Sequence, residues 1–495
     1  MVKRDILIKG FLAAVHWLGL VSMIKLNPLD NVALAVSDGY VPRGHKIALS
    51  DIKKGAFVIK YGFPIGVATT DIKAREHVHV HNLKSAISQE NAAGAYITPP
   101  GRVSADKQGS FMGYTRIGGR VGIRNEIWII NTVGCTNQIS LKIAERANKI
   151  HAGKIDGVYA VTHPYGCSQL GDDHENTREI LAGYALHPNA GGVLVLGLGC
   201  ENNTVSEFKN ALGDYDETRI RFLCAQECED ETAKALEIIG EIIDTISCKR
   251  VAVGLDRLVI GLKCGGSDAF SGITANPLVG LTADRVCGYG GTAVLTETPE
   301  MFGAEAVLLN RCINENVFNE TIEMIDNFKR YFVEHGQEVY ENPSPGNKDG
   351  GITTLEEKSL GCVQKSGTGP IIDTLRYGGR VRKNGLVLLD GPGNDIVSTA
   401  ALTAAGCQLI LFTTGRGTPL GAFAPTIKIS SNSNLARKKP HWIDYDAGGI
   451  LSKGMDEAER ELWDLIIAVA EGEIKTQSEI RGFRDFAIFK NGVTL

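Results

Sequence analysis

The chain has 495 residues, 43 % of them hydrophobic and 22 % charged, which is the composition of a folded chain long enough for several cores. A net charge of −5 without a long basic run gives no electrostatic footprint for nucleic acid or for an anionic membrane, so a small-molecule role is expected. None of the eleven cysteines falls in a CxxC pair, which speaks against a disulfide scaffold or zinc ribbon and for a reducing, cytoplasmic setting.

Residues 1–22 place basic residues ahead of an apolar run, but His16 interrupts the run, no A-x-A site follows, and it is too short to span a bilayer. They read as a non-essential extension ahead of a start at Met23. Residues 23–85 alternate polar and apolar positions between Gly and Pro, as in NVALAVSDGY and AFVIKYGFPIGVAT, and predict a small β domain. Residues 86–113 have no hydrophobic period and read as a linker.

From 114 to 339 apolar runs recur: EIWIINTVGC, GVYAVTHPYGC, GVLVLGLGC, RFLCAQE, LVIGLKCGG and TAVLTETPE. Helix-like segments such as ISLKIAERANKI separate them. This βα repetition predicts an α/β, Rossmann-like catalytic domain with a mostly parallel sheet. Ligands collect at the carboxyl ends of such strands, where Cys135, His163, Cys167, Cys200, Glu201, Cys264, Asp268, Glu297 and Glu300 fall. Residues 340–495 open on the turn-rich NPSPGNKDGG, carry two further βα-like units, and read as a C-terminal α/β domain.

Four constellations carry chemistry. In EHVHVHN, period two would put His77, His79 and His81 on one face of a strand, where two imidazoles can hold a divalent metal. A solvated polar face is the plainer reading, and His45 in the same domain argues against it. Asn82 would orient a substrate hydroxyl or cap the strand. In PYGCSQLGDDHENT, Asp173 and His174 follow Cys167 in an expected βα loop, where they would serve catalysis or cap the next helix. Cys135, Cys167, Cys200 and Cys264 at related strand ends would ligate iron or an iron–sulfur cluster, or pack as small hydrophobes. The glycine-rich CGGSDAFSG, NPSPGNK and TTGRGTP segments, with Asp268, Asn347, Lys348, Arg416 and Thr418, and Lys365 beyond them, would grip a carboxylate and its hydroxyls. None matches a P-loop or the GxGxxG fingerprint.

These stretches resemble the altronate and galactarate dehydratase family. So do RGHKIALSDI, RVGIRNEIWI, HPNAGGVLVLGLGCENN, TETPEMFGAE, YENPSPGNKDGGITTLEEKSLGC and the terminal AIFKNGVTL. The likeness runs from about Met23 to Leu495, and HVHVHN with GDDH looks like the altronate branch. Residues 1–22 have no counterpart in the pattern. The resemblance implies an N-terminal SAF-type β domain and an iron(II)- or manganese-dependent dehydration of D-altronate to 2-dehydro-3-deoxy-D-gluconate, a step of hexuronate catabolism.

Such a reaction removes the C2 proton next to a carboxylate and expels the C3 hydroxyl. On chemical grounds His79 and His81 are the expected metal ligands, with His45 or His174 as base or acid, and the cysteines compete for the metal. Galactarate dehydration, another sugar-acid or sulfo-acid lyase reaction, and a non-catalytic sugar-acid sensor are the alternatives. The oligomeric state is left open, a homo-oligomer included.

Overall fold

The computed structural model describes residues 15–18, 21–87, 96 and 108–495. Most of the segment read as a linker lies outside them. Its end does not: Ser110–Thr115 is a strand, pairing antiparallel with Val251–Gly254 and with Val121–Gly122. The start expected at Met23 falls inside the strand Val21–Ile24, which pairs with Val15–Leu18.

The N-terminal β domain is built from two small antiparallel sheets. One runs in the order Val15–Leu18, Val21–Ile24, Val32–Ala35, Lys46–Ala48, His77–Val78, and the other joins Phe57–Lys60, Phe63–Ala68 and Leu83–Lys84. The mid-chain βα repeats form a four-stranded parallel sheet ordered Gly157–Val161, Glu126–Asn131, Ala190–Gly197, Ile220–Cys224. Its helices Asn137–Ile150 and Glu231–Thr245 begin where the amphipathic pattern does. Asp230 caps the second by accepting from the Ala233 N–H.

The remaining strands make one seven-stranded parallel sheet, ordered Ile371–Leu375, Gly385–Leu389, Thr292–Leu295, Val259–Cys264, Leu409–Thr414, Thr426–Ser430, Tyr445–Asp446. This corrects the division at 339/340. Val259–Cys264 hydrogen-bonds Leu409–Thr414, and Thr292–Leu295 hydrogen-bonds Gly385–Leu389, so strands from both sides of that boundary share one layer.

Period two along these strands builds a core on each face. Leu409 and Leu411 join a core with Leu278 and Leu462, from the helices Ala275–Gly288 and Met455–Ala470. Ile410 and Phe412 pack with Leu402 and Leu181, from Asp395–Ala404 and Gly171–Ala185. Trp128 and Val193 of the four-stranded sheet share that second core, so the Gly171–Ala185 helix is common to both parallel sheets. Its crossing with Asp395–Ala404 is tight: a Cβ on Gly183 would lie 2.5 Å from the Ala404 carbonyl oxygen.

Candidate functional site

Two side-chain clusters converge on the segment 342–362. The first is in the β domain. His77 opens a strand of only two residues, His77–Val78, and a turn follows, so the three imidazoles do not lie along one strand face as expected. Asn82 makes the turn. Its Oδ1 accepts from the His79 N–H (3.0 Å) and its Nδ2 donates to the His77 carbonyl (2.9 Å), so the side chain is consumed by the backbone rather than offered to a substrate. The turn folds His79 back: the His77 and His79 rings stack with centroids 5.6 Å apart, and His45 meets His79 at 4.7 Å.

His45, His77 and His79 thus bring ring nitrogens within 4.8 Å of one another. His45 Nδ1 stands 3.0 Å from His77 Nε2, and His79 Nδ1 is 2.9 Å from Thr353 Oγ1. His81, expected as a ligand, is exposed and only packs on His77, at 5.3 Å between centroids. Burial is the largest cause that pushes all three convergent histidines down, His77 to about 4 and His79 to about 3; Lys46 adds to it at each, and neighbouring imidazoles add to it at His77 and His79. Each is a neutral ring at neutral pH, the protonation state that binds a metal.

Below this set lies a buried ion cluster. Lys46 and Lys60 each meet the Glu357 carboxylate at 2.8 Å, and Lys46 Nζ also donates to Thr353 Oγ1 (2.7 Å) and the Gly351 carbonyl (2.9 Å). Burial alone would raise the Glu357 carboxyl, but the two lysines outweigh it and bring it down to about 2. These contacts tie the β domain to the helix Leu355–Cys362, every residue of which is buried.

The same helix builds the second cluster, at the carboxyl end of the seven-stranded sheet. Cys264 ends its strand, and its Sγ lies 3.4 Å from Cys362 Sγ and 3.0 Å from Glu300 Oε2. Lys365 Nζ donates to Cys264 Sγ at 2.8 Å, and Lys358 Nζ meets Glu300 at 2.8 Å. Lys263 pairs with Glu297 and, at 2.9 Å, with Asp395. Burial would raise Glu300, but Lys358, Lys365 and Lys263 hold it well below the usual carboxylate range, whereas burial and the Glu300 charge raise Glu297. Cys264, Glu300, Asn347, Lys358 and Asp395 line a cleft of about 420 Å³, walled on its apolar side by Phe328, Phe332 and Phe489.

The other expected site residues fall elsewhere. Asp173 is buried on the helix Gly171–Ala185. It accepts from the Asn491 and Gly492 N–H groups (2.9 and 2.8 Å) and meets Lys490 at 3.6 Å, so it clamps the C-terminal tail. His174 faces Glu207 at 3.7 Å. Asp268 is internally saturated by Ser271, Ser431 and Asn432, which removes it as a free substrate ligand. Asn347 lines the cleft while its amide donates to the Ser267 carbonyl (2.7 Å), and Lys348 is half-buried beside it. Lys365 is buried beneath Cys264 rather than facing ligand space. Arg416 is exposed and Thr418 half-buried in the loop after Leu409–Thr414. Cys135, Cys167 and Cys200 are exposed on the four-stranded sheet, so Cys264, buried on the other sheet, is not the fourth member of their set.

Lys46, Lys60, Lys263, Glu357, Lys358, Cys362 and Asp395 are not among the residues expected from sequence, and His77 stands there in the imidazole row without being chosen as a ligand. Lys263 had a signal: a charge inside the apolar run LVIGLKC needs a buried partner.

A small β domain docked on a parallel α/β layer, with convergent imidazoles and a charged cleft at the carboxyl strand ends, defines an α/β enzyme of small polar molecules. Family models agree along the chain. The altronate/galactarate dehydratase SAF domain matches residues 37–86. The second domain of D-galactarate dehydratase/altronate hydrolase matches 113–247, and the D-galactarate/altronate dehydratase C-terminal region matches 255–494.

The chain is 49 % identical to altronate dehydratase of Escherichia coli (strain K12), over 95 % of this chain and 99 % of that protein. It is 48 % identical to altronate dehydratase of Bacillus subtilis (strain 168), over 96 % and 100 %. Galactarate dehydratase (L-threo-forming) of E. coli is 31 % identical over 94 % and 96 %. The chain belongs to the altronate/galactarate dehydratase family. Among the described residues, no helix is long and apolar enough to cross a membrane.

Proposed function

We propose that the chain is a hydro-lyase that converts D-altronate to 2-dehydro-3-deoxy-D-gluconate and water. The observation that carries this reading is the identity of 49 % and 48 % to two altronate dehydratases across nearly the whole chain, against 31 % to the galactarate enzyme.

Two sets of residues can be tested as a home for a divalent ion. In the Cys264, Glu300, Cys362 set, the ammonium of Lys365 already stands on Cys264 and that of Lys358 on Glu300, and both would repel a cation. The His45, His77, His79 set offers three neutral imidazoles, a donor set that suits iron(II) better than manganese. His45, His77 and His79 are therefore the proposed ligands, with His77 in the place first given to His81. A divalent ion bound there would supply Lewis-acid stabilisation of charge developing next to the substrate carboxylate.

The cleft handles binding and the proton. Lys358, at its wall, offers a cation to the sugar-acid carboxylate, and Asn347 and Asp395 offer hydrogen bonds to its hydroxyls. Cys264 Sγ, which lines the cleft and meets Lys365 Nζ, is the group proposed to take the C2 proton. Glu300, held deep in the ionised range, is a weak base and acts on the field of the site. The phenyl walls exclude water from the carbon that loses the proton.

The test is anaerobic turnover by the iron(II)-loaded protein, followed as 2-keto-3-deoxy acid, with D-altronate, galactarate and sulfolactate in parallel. Turnover of altronate with kcat/KM at least about tenfold above the other two is expected. Preference for galactarate or sulfolactate overturns the substrate, and tight binding without turnover overturns the enzyme reading in favour of a sensor.

A further inference from the structure

Three cysteines that the site above does not use occupy equivalent places. Cys135, Cys167 and Cys200 each lie in the loop after the carboxyl end of one of three neighbouring parallel strands, Glu126–Asn131, Gly157–Val161 and Ala190–Gly197. All three thiols are exposed.

The loops are laced together. The Gly134 N–H donates to the Tyr165 carbonyl (2.8 Å), the Asn203 N–H to the Gly166 carbonyl (2.9 Å), and Asn203 Nδ2 to the Thr132 carbonyl (3.1 Å). Ser168 N–H adds a bond to Asn202 Oδ1 at 3.0 Å. Gly166 makes this approach feasible: it sits at φ 95°, and a Cβ there would lie 2.0 Å from the Thr132 carbonyl oxygen. Every thiol is one to three residues from one of these bonds, so the lacing gathers all three on one rim.

Spacing and chemistry narrow what such a rim holds. A single ion needs its ligand atoms close together. Among the described residues the sets within 4.8 Å are His45, His77, His79 and Cys264, Glu300, Cys362, and the loop thiols do not form one. A polynuclear centre binds each thiolate through a different metal atom and tolerates wider spacing. Thiolate ligands select iron–sulfur chemistry, and the Gln226 Nε2–H directed at Cys200 Sγ (3.5 Å) is the kind of contact that tunes it.

We propose that Cys135, Cys167 and Cys200 hold an iron–sulfur cluster, each thiol releasing its proton as its Fe–S bond forms, with one iron left free of a protein ligand and open to a hydroxyl or carboxylate oxygen. This site is separate from the histidine set and stands whether or not altronate is the substrate.

The full chain would be reconstituted anaerobically with sulfide and equal amounts of ferrous and ferric iron, so that no further oxidant is needed, then desalted and assayed for colour, iron and acid-labile sulfide. The expected product is brown, with about four iron and four sulfide per chain beyond any iron on the histidines. Cys167→Ser should lose the colour and the sulfide, while Cys248→Ser, another exposed cysteine, and His79→Ala should keep both. If Cys167→Ser does not fold, Cys135→Ser and Cys200→Ser carry the same expectation. Absence of labile sulfide from the wild type, an unchanged cluster in the triple serine variant, or iron without sulfide that disappears in His79→Ala would each overturn the assignment.

Discussion

Glu357 shows what one buried carboxylate does for the whole molecule. It is held between Lys46 and Lys60, so removing its charge strands two ammonium groups in the interior. Glu357→Gln is expected to lower stability by about 3–5 kcal/mol, read from urea midpoints near neutral pH; a loss below about 1 kcal/mol would mean that water reaches the lysines. The pH dependence follows from the same pair. The carboxyl titrates near its ordinary value of 4.5 in the unfolded chain and at about 2 in the fold. Between those values the unfolded chain binds the extra proton, so the contribution is complete above about 4.5 and lost as pH falls through 2. It is on the order of 3 kcal/mol, and Glu357→Gln should lack that slope. His79 answers a different question. If the three imidazoles hold the ion, His79→Ala should weaken iron(II) or manganese binding at least about tenfold in anaerobic titration with the fold intact, and unchanged affinity dismisses the set.

At the scale of elements, the strands were the most legible part. The runs EIWIIN, VLVLG and LILFTT lie within the strands Glu126–Asn131, Ala190–Gly197 and Leu409–Thr414, because continuous apolar stretches between turn residues are what doubly covered parallel strands require. The helix Leu355–Cys362 was not legible. LEEKSLGC carries three charges and no apolar period that would announce burial, and only tertiary partners such as Lys60, 297 residues away in sequence, explain why Glu357 is buried. The histidine row failed for a local reason: Asn82 bonds two backbone groups and converts an alternating strand into a turn, so His77 joined the cluster and His81 left it. Gly183 tests helix packing against helix propensity. Alanine gains about 0.5–1 kcal/mol by propensity, but its Cβ would stand 2.5 Å from the Ala404 carbonyl oxygen, which is backbone and cannot swing aside. Gly183→Ala should therefore destabilise by about 1–3 kcal/mol in thermal unfolding, and a stabilised variant would show that the two helices separate freely.

For the molecule as a whole, the C-terminal tail joins the two parallel sheets. Phe489 walls the cleft at the seven-stranded sheet, Asn491 and Gly492 donate to Asp173, Thr494 bridges to Gln169, and the Leu495 N–H bonds the Ser168 carbonyl beside Cys167. The chain covers this span in six residues after Phe489, an extended reach of roughly 20 Å. Asp173, first read as catalytic, thus acts on the cleft only through the tail that it anchors. Hydrogen bonds to an ionised carboxylate contribute about 1.5–3 kcal/mol each, so Asp173→Ala should free the tail without unfolding the helix beneath it. Two readouts follow: carboxypeptidase should remove residues after Phe489 from the variant but not from the wild type, and the altronate KM should rise several-fold while kcat changes little, because the phenyl wall is displaced and the cleft's charges are not. A protected tail with kcat lost and KM unchanged would instead return Asp173 to the chemistry.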